Sequence, residues 1–116
     1  MAELHNKDSA LIFGGAYLAN LTTLTTLGKI YDDLIYFSDE QNHASLIEGM
    51  RASRCEKKIF DHNDLVQLEE LLKEQDIDRP KIIVFESVYS MTGTTANIKE
   101  IVAIAKKYNA LTYIDE

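Results

Sequence analysis

The chain has 116 residues, of which 46% are hydrophobic and 27% charged, a balance that excludes disordered, collagen-like and coiled-coil chains and predicts one soluble globular domain. Lys and Arg number 12 against 19 Asp and Glu, a formal net charge of -7 with no basic run longer than a pair, so neither nucleic acid nor an anionic membrane is expected as a main partner. The lone Cys55 cannot close an internal disulfide, the first residues lack a signal-peptide layout, and apolar runs fall far short of the ~20 residues of a membrane span, which together predict a reducing, cytoplasmic compartment and no transmembrane helix.

In chain order, residues 2–7 read as a short amphipathic helix and residues 10–13 as the first strand, followed by Gly14-Gly15 and a helix starting near Ala16 with Tyr17, Leu18, Leu21 and Leu24 on one face. A second strand is expected at 34–37, then a helix carrying Leu46, Ile47 and Met50. A third strand at 58–60 leads to a helix with Leu65, Leu68, Leu71 and Leu72, which Asn63-Asp64 can cap and after which Pro80 breaks the chain. The fourth strand lies at 82–85. Asn97, with Glu100 three residues on, announces a helix carrying Ile98, Ile101, Val102 and Ala105, and the fifth strand falls at 111–114. Strands alternate with helices, and no Asn-Gly or Asp-Gly hairpin signal is present. The fold class expected is therefore α/β, a three-layer α/β/α arrangement around a mostly parallel sheet, with residues 1–116 forming a single domain. Asp115-Glu116 follows the last strand with no helix to cover it, which predicts that the domain is incomplete.

Ligands of open α/β sheets bind beyond the carboxyl ends of the strands, which singles out Gly14-Gly15-Ala16-Tyr17, residues 38–43, residues 86–90 and Asp115-Glu116. Between a strand and a helix, Gly14-Gly15 can leave free N–H groups for a phosphate, or supply a turn that needs positive φ. His43, preceded by Asn42, can stack on a ligand ring, carry a proton or cap the helix it opens. Asp115 at the mouth of the sheet calls for a cationic partner such as a protonated pyridine nitrogen or an arginine, unless it is a solvated turn residue or a helix cap. Tyr89 and Ser90 can donate hydroxyls to a ligand or serve only a turn. His5 and His62 lack such context, and no His, Cys or carboxylate pair has metal-ligand spacing, so no metal site is expected.

Four segments carry a resemblance: residues 37–49 (FSDEQNHASLIEG), Ile59-Phe60 with His62-Asn63-Asp64, residues 85–91 (FESVYSM) and residues 111–116 (LTYIDE). In order and spacing the chain resembles the α-oxoamine synthases, pyridoxal-phosphate enzymes of fold type I, over essentially its whole length. The resemblance implies part of the large domain of such a transferase, with pyridoxal 5'-phosphate as cofactor. It implies that the backbone of Ala16 and Tyr17 lies near the cofactor phosphate and that His43 stacks on the pyridine. Ser90 would stand near the phenolic oxygen, and Asp115 would partner the pyridine N–H, so that His43 and Asp115 are the expected catalytic residues.

The His-Asn-Asp segment and the Asp-Glu ending resemble the branch of the family that acts as a homodimer to condense glycine with succinyl-CoA. The products there are 5-aminolevulinate, CoA and carbon dioxide, in haem and tetrapyrrole biosynthesis. The alternatives are another branch, 2-amino-3-ketobutyrate CoA ligase or 8-amino-7-oxononanoate synthase, or a non-catalytic module that binds a phosphorylated ligand. The family's Schiff-base lysine has no counterpart within residues 1–116, which implies that these residues alone are inactive. Asp61 stands where the family has a basic residue, and Met91-Thr92-Gly93 stands where it has Met-Asp-Gly; both changes put acyl-CoA affinity in question more than the fold.

Overall fold

Short apolar runs rich in Ile, Phe, Val and Tyr become strands, and the 3.6-residue apolar patterns between them become helices. A computed structural model describes residues 16–88 and 95–115. The order is α1 (Ala16–Ile30), β1 (Ile35–Asp39), α2 (Ala44–Ser53), β2 (Glu56–Phe60), α3 (Leu65–Lys73), β3 (Lys81–Glu86), α4 (Ile98–Lys107) and β4 (Leu111–Asp115). The helix expected at 2–7 and the strand expected at 10–13 lie outside the described residues.

The four described strands form one parallel sheet in the order β2-β1-β3-β4. Alternation along β1 and β3 splits the interior in two. Ile35, Phe37, Ile83 and Phe85 face Phe60, Leu68, Leu72, Ile101 and Ala105 on the α3 and α4 side. Tyr36, Ile82 and Val84 face Leu24, Leu46 and Met50 on the α1 and α2 side. The crossover from β1 to β2 and that from β2 to β3 run in opposite directions across the sheet, so right-handed connections put α2 and α3 on opposite faces. The result is the expected three-layer α/β/α architecture. β1 and β3 are buried along their whole length, whereas β2 exposes Glu56 and Ile59.

Local signals account for the helix ends. Asp64 caps α3 by accepting from the Gln67 N–H at 3.0 Å, and Asn97 caps α4 by accepting from the Glu100 N–H at 3.2 Å. Arg54 ends α2 in the left-handed region at φ 61, a position where glycine is common. Pro80 does not terminate α3. That helix ends at Lys73, turns bonded from Gln75 to Leu72 and from Arg79 to Asp76 follow, and Pro80 stands at the entrance to β3. There its missing N–H costs nothing, and its carbonyl accepts from the Ile35 N–H at 3.0 Å. Strand β2 starts two residues before the expected 58, because Glu56 and Lys57 pair with Ile35 and Tyr36 through backbone groups indifferent to side-chain polarity.

Candidate functional site

Connections leave β1 toward one edge of the sheet and β3 toward the other, so the chain diverges above the carboxyl ends of these two neighbours and opens a crevice there. Its walls are the segment after β1 and the end of β3. Buried Asn42 ties them together, donating through Nδ2 to Ser38 Oγ and to the Val84 carbonyl, both at 2.9 Å. The His43 N–H donates to Glu86 Oε2 at 2.9 Å. Glu86 is itself buried, and that burial raises its carboxyl above the usual carboxylate range, opposed by the His43 N–H and reinforced by neighbouring Asp115.

His43 is the N-cap of α2, its Nδ1 accepting from the Ser45 N–H at 3.3 Å. A backbone N–H can only donate, so Nδ1 is the acceptor and the ring carries its proton on Nε2. Ser45 Oγ, 3.2 Å from the same Nδ1, then donates to it. The helix cap and the ligand-facing imidazole, alternatives in the sequence, are thus compatible: one ring nitrogen serves the helix and the other stays available to a ligand.

Asp115 closes β4 opposite Glu86 in the register of β3 and β4. Its Oδ2 accepts from Asn20 Nδ2 at 3.2 Å. Asn20 also donates to Ser45 Oγ at 2.9 Å, and its Oδ1 accepts from the Tyr113 hydroxyl at 2.8 Å. A continuous polar chain therefore runs from His43 through Ser45 and Asn20 to Asp115, with Glu86 alongside. Ala16 and Tyr17 are the first residues of α1, the helix that carries Asn20 one turn further on. The first turn of α1 has no acidic side chain, Tyr17 is half exposed, and the N–H groups of such a turn have no partners within the helix. A helix start suited to an anion, an imidazole and a carboxylate at one edge of the sheet fit a phosphorylated pyridine.

Among the expected site residues, the structure brings together His43, Asp115 and the start of α1 with Ala16 and Tyr17. Ser90, Tyr89, Met91, Thr92 and Gly93 lie outside the described residues. Sequence reasoning missed Asn20 and Ser45 and gave Glu86 no role. Glu86 was within reach, as a carboxylate ending an apolar strand, whereas Asn20 sits among apolar helix residues with no local mark. A second polar centre lies nearby: buried Asp39 accepts from the Gln41 N–H at 2.9 Å and the Asn63 N–H at 3.1 Å, and its Oδ1 lies 3.0 Å from His62 Nδ1. Asp39 thereby ties the loop before α3 to the end of β1. Exposed Asp61 lies in that loop, its N–H donating to Gln67 Oε1.

All 116 residues match the model of the class I and II aminotransferase family, and the chain belongs to that family. Within it, the chain is 58% identical to a 5-aminolevulinate synthase of Rickettsia felis over 116 residues, all of this chain and 28% of that protein. It is likewise 58% identical to a mitochondrial 5-aminolevulinate synthase of Schizosaccharomyces pombe, spanning 21% of it, and 51% identical to that of Paracoccus denitrificans, spanning 28%. The chain thus spans between a fifth and a third of the length of these relatives. A serine palmitoyltransferase from S. paucimobilis with a bound PLP–myriocin aldimine superposes with a TM-score of 0.92 at 33% identity, over 99% of this chain and 29% of that one. An 8-amino-7-oxononanoate synthase from Francisella tularensis shares the fold, with a TM-score of 0.80 at 24% identity over 99% of this chain and 31% of that one.

Proposed function

We propose that residues 1–116 form part of the large domain of a 5-aminolevulinate synthase, which condenses glycine with succinyl-CoA to 5-aminolevulinate, CoA and carbon dioxide on a pyridoxal phosphate cofactor. The observation that carries this reading is the joined set of His43, Asp115 and the α1 start at the switch point of the sheet. Identity of 58% to relatives of that name over the whole chain supports it.

When bound, pyridoxal phosphate supplies an electron sink for the bonds broken at the amino acid's α-carbon. The chain's residues would hold and tune it. Backbone N–H groups of Ala16 and Tyr17 would bind the phosphate, where the helix dipole favours negative charge. Asp115, an acceptor when ionised, would hold a proton on the pyridine nitrogen and so keep the ring electron-poor. His43 would lie on the ring face with Nε2–H free to donate, and the resemblance assigns Ser90 to the phenolic oxygen. The proposal extends to homodimeric assembly and a cytoplasmic location, and it places the lysine that bonds the cofactor outside residues 1–116, so that these residues by themselves do not turn over. Among the described residues, no helix is long and apolar enough to cross a membrane.

The test is turnover by the protein carrying this sequence, isolated in the form its cells make. Formation of 5-aminolevulinate from glycine and succinyl-CoA, dependent on pyridoxal phosphate, is the expected result. Turnover of other amino acid and acyl-CoA pairs, with none of this pair, would assign the chain to a different branch of the family.

A further inference from the structure

Asn20 is buried and both polar atoms of its side chain are engaged, Nδ2 by Ser45 of α2 and Asp115 of β4 and Oδ1 by Tyr113 of β4. Its orientation is fixed by its neighbours. An ionised Asp115 can only accept, so Nδ2 must face it, and Oδ1 then faces the Tyr113 hydroxyl, which donates. One Nδ2 proton goes to Asp115 Oδ2 at 3.2 Å and the other to Ser45 Oγ at 2.9 Å, the same hydroxyl that stands 3.2 Å from His43 Nδ1. One amide thus joins α1, α2 and β4, the three elements that bear Ala16 and Tyr17, His43, and Asp115.

We infer that Asn20 is a positioning residue for the cofactor: it holds one oxygen of Asp115, so that the other is aimed at the pyridine nitrogen, and locks that carboxylate to the His43 cap and to the phosphate-binding helix. The inference rests on the proposed pyridoxal phosphate site. Without Asn20 the Asp115 side chain keeps its charge but loses the contact that selects its rotamer, and its affinity for the ring N–H falls.

The experiment is a double-mutant cycle read as pyridoxal phosphate affinity, by absorbance titration of the apo form of the protein isolated as its cells make it. Asn20→Ala is expected to weaken the cofactor about tenfold in an otherwise unchanged protein, and less than about twofold when Asp115→Asn is already present, because the two residues act through one contact. Equal, additive losses in the two backgrounds would overturn the inference, as would unchanged affinity in Asn20→Ala. Should Asn20→Ala fail to fold, Asn20→Asp, of the same size, carries the test. It sets a second carboxylate against Asp115 and is expected to weaken the cofactor about tenfold or more, and wild-type affinity in that variant overturns the inference. Failure of the unmodified apo protein to bind pyridoxal phosphate at all would instead remove the site, and this inference with it.

Discussion

Burial of a single carboxylate makes the site sensitive to pH. Glu86 takes up a proton more readily in the folded chain than in the unfolded one, first because it is buried and then because Asp115 is close, while the His43 N–H works the other way. A raised carboxyl contributes stability that is complete below its ordinary value and is lost as pH rises through the raised one. Glu86→Gln keeps an acceptor for the His43 N–H but does not ionise. Thermal midpoints from about pH 4 to 8 should show the unmodified protein losing ground to this variant as pH rises; parallel curves would mean that Glu86 does not titrate as described. The contrast between Asp115 and Asn20 shows how far such residues can be read from sequence. Asp115 could be singled out because a carboxylate at the carboxyl end of an apolar strand lies at the ligand edge of the sheet, although a solvated turn or a helix cap explained it equally well. Asn20 could not, because its partners are 25 and 95 positions away and a polar residue in a helix ordinarily faces water. Lys81 misleads in the same way: it opens β3 almost fully buried, its ammonium donating to the carbonyls of Ile77 and Arg79.

Between elements, the site depends on how closely α1 approaches α2. Two glycines set that distance. A Cβ at Gly49 would lie 2.8 Å from the Asn20 carbonyl oxygen and 2.9 Å from Leu24 Cβ, and one at Gly28 would lie 2.7 Å from Ser53 Cβ. Backbone and Cβ atoms cannot rotate away, so the helices would have to part. For Gly49→Ala, the ~1 kcal/mol gained in helix propensity is outweighed by an overpacking cost of about 1–3 kcal/mol. The variant should melt at a lower temperature and bind pyridoxal phosphate more weakly, since the moved segment carries Asn20. An unchanged melting temperature would show that the helices have room to spare. Glycine's role here was invisible to sequence reasoning, because nothing in the sequence shows what lies against a glycine inside a helix. Helices α3 and α4 were legible, because their apolar spacing and the caps at Asp64 and Asn97 agree with the packing that forms, whereas on α1 the expected face is only partly the packed one: Leu24 is buried, but Tyr17 and Leu18 are half exposed and Asn20 is buried.

At the scale of the whole molecule, the strand order β2-β1-β3-β4 is what assembles the site. It makes β1 and β3 neighbours although a strand and two helices separate them in the chain, and it places β4 on the far side of β3, so that segments after residues 38, 86 and 114 meet at one edge. Alternation of strands with helices was enough to predict a parallel sheet and its ligand edge. It could not choose the strand order, since hydrophobic pattern sets which face a residue occupies and says little about which strand lies beside it. The order makes Asp115 and His43 parts of one site, so cofactor binding tests it most directly. The direct measurement is an equilibrium titration of the apo protein, in the form its cells make, with pyridoxal phosphate, comparing the unmodified protein with Asp115→Ala. Saturable binding that Asp115→Ala weakens by about 10- to 100-fold is the result expected from losing a hydrogen bond to a charged partner. Equal affinity in the two proteins, or no saturable binding by the unmodified one, would contradict it.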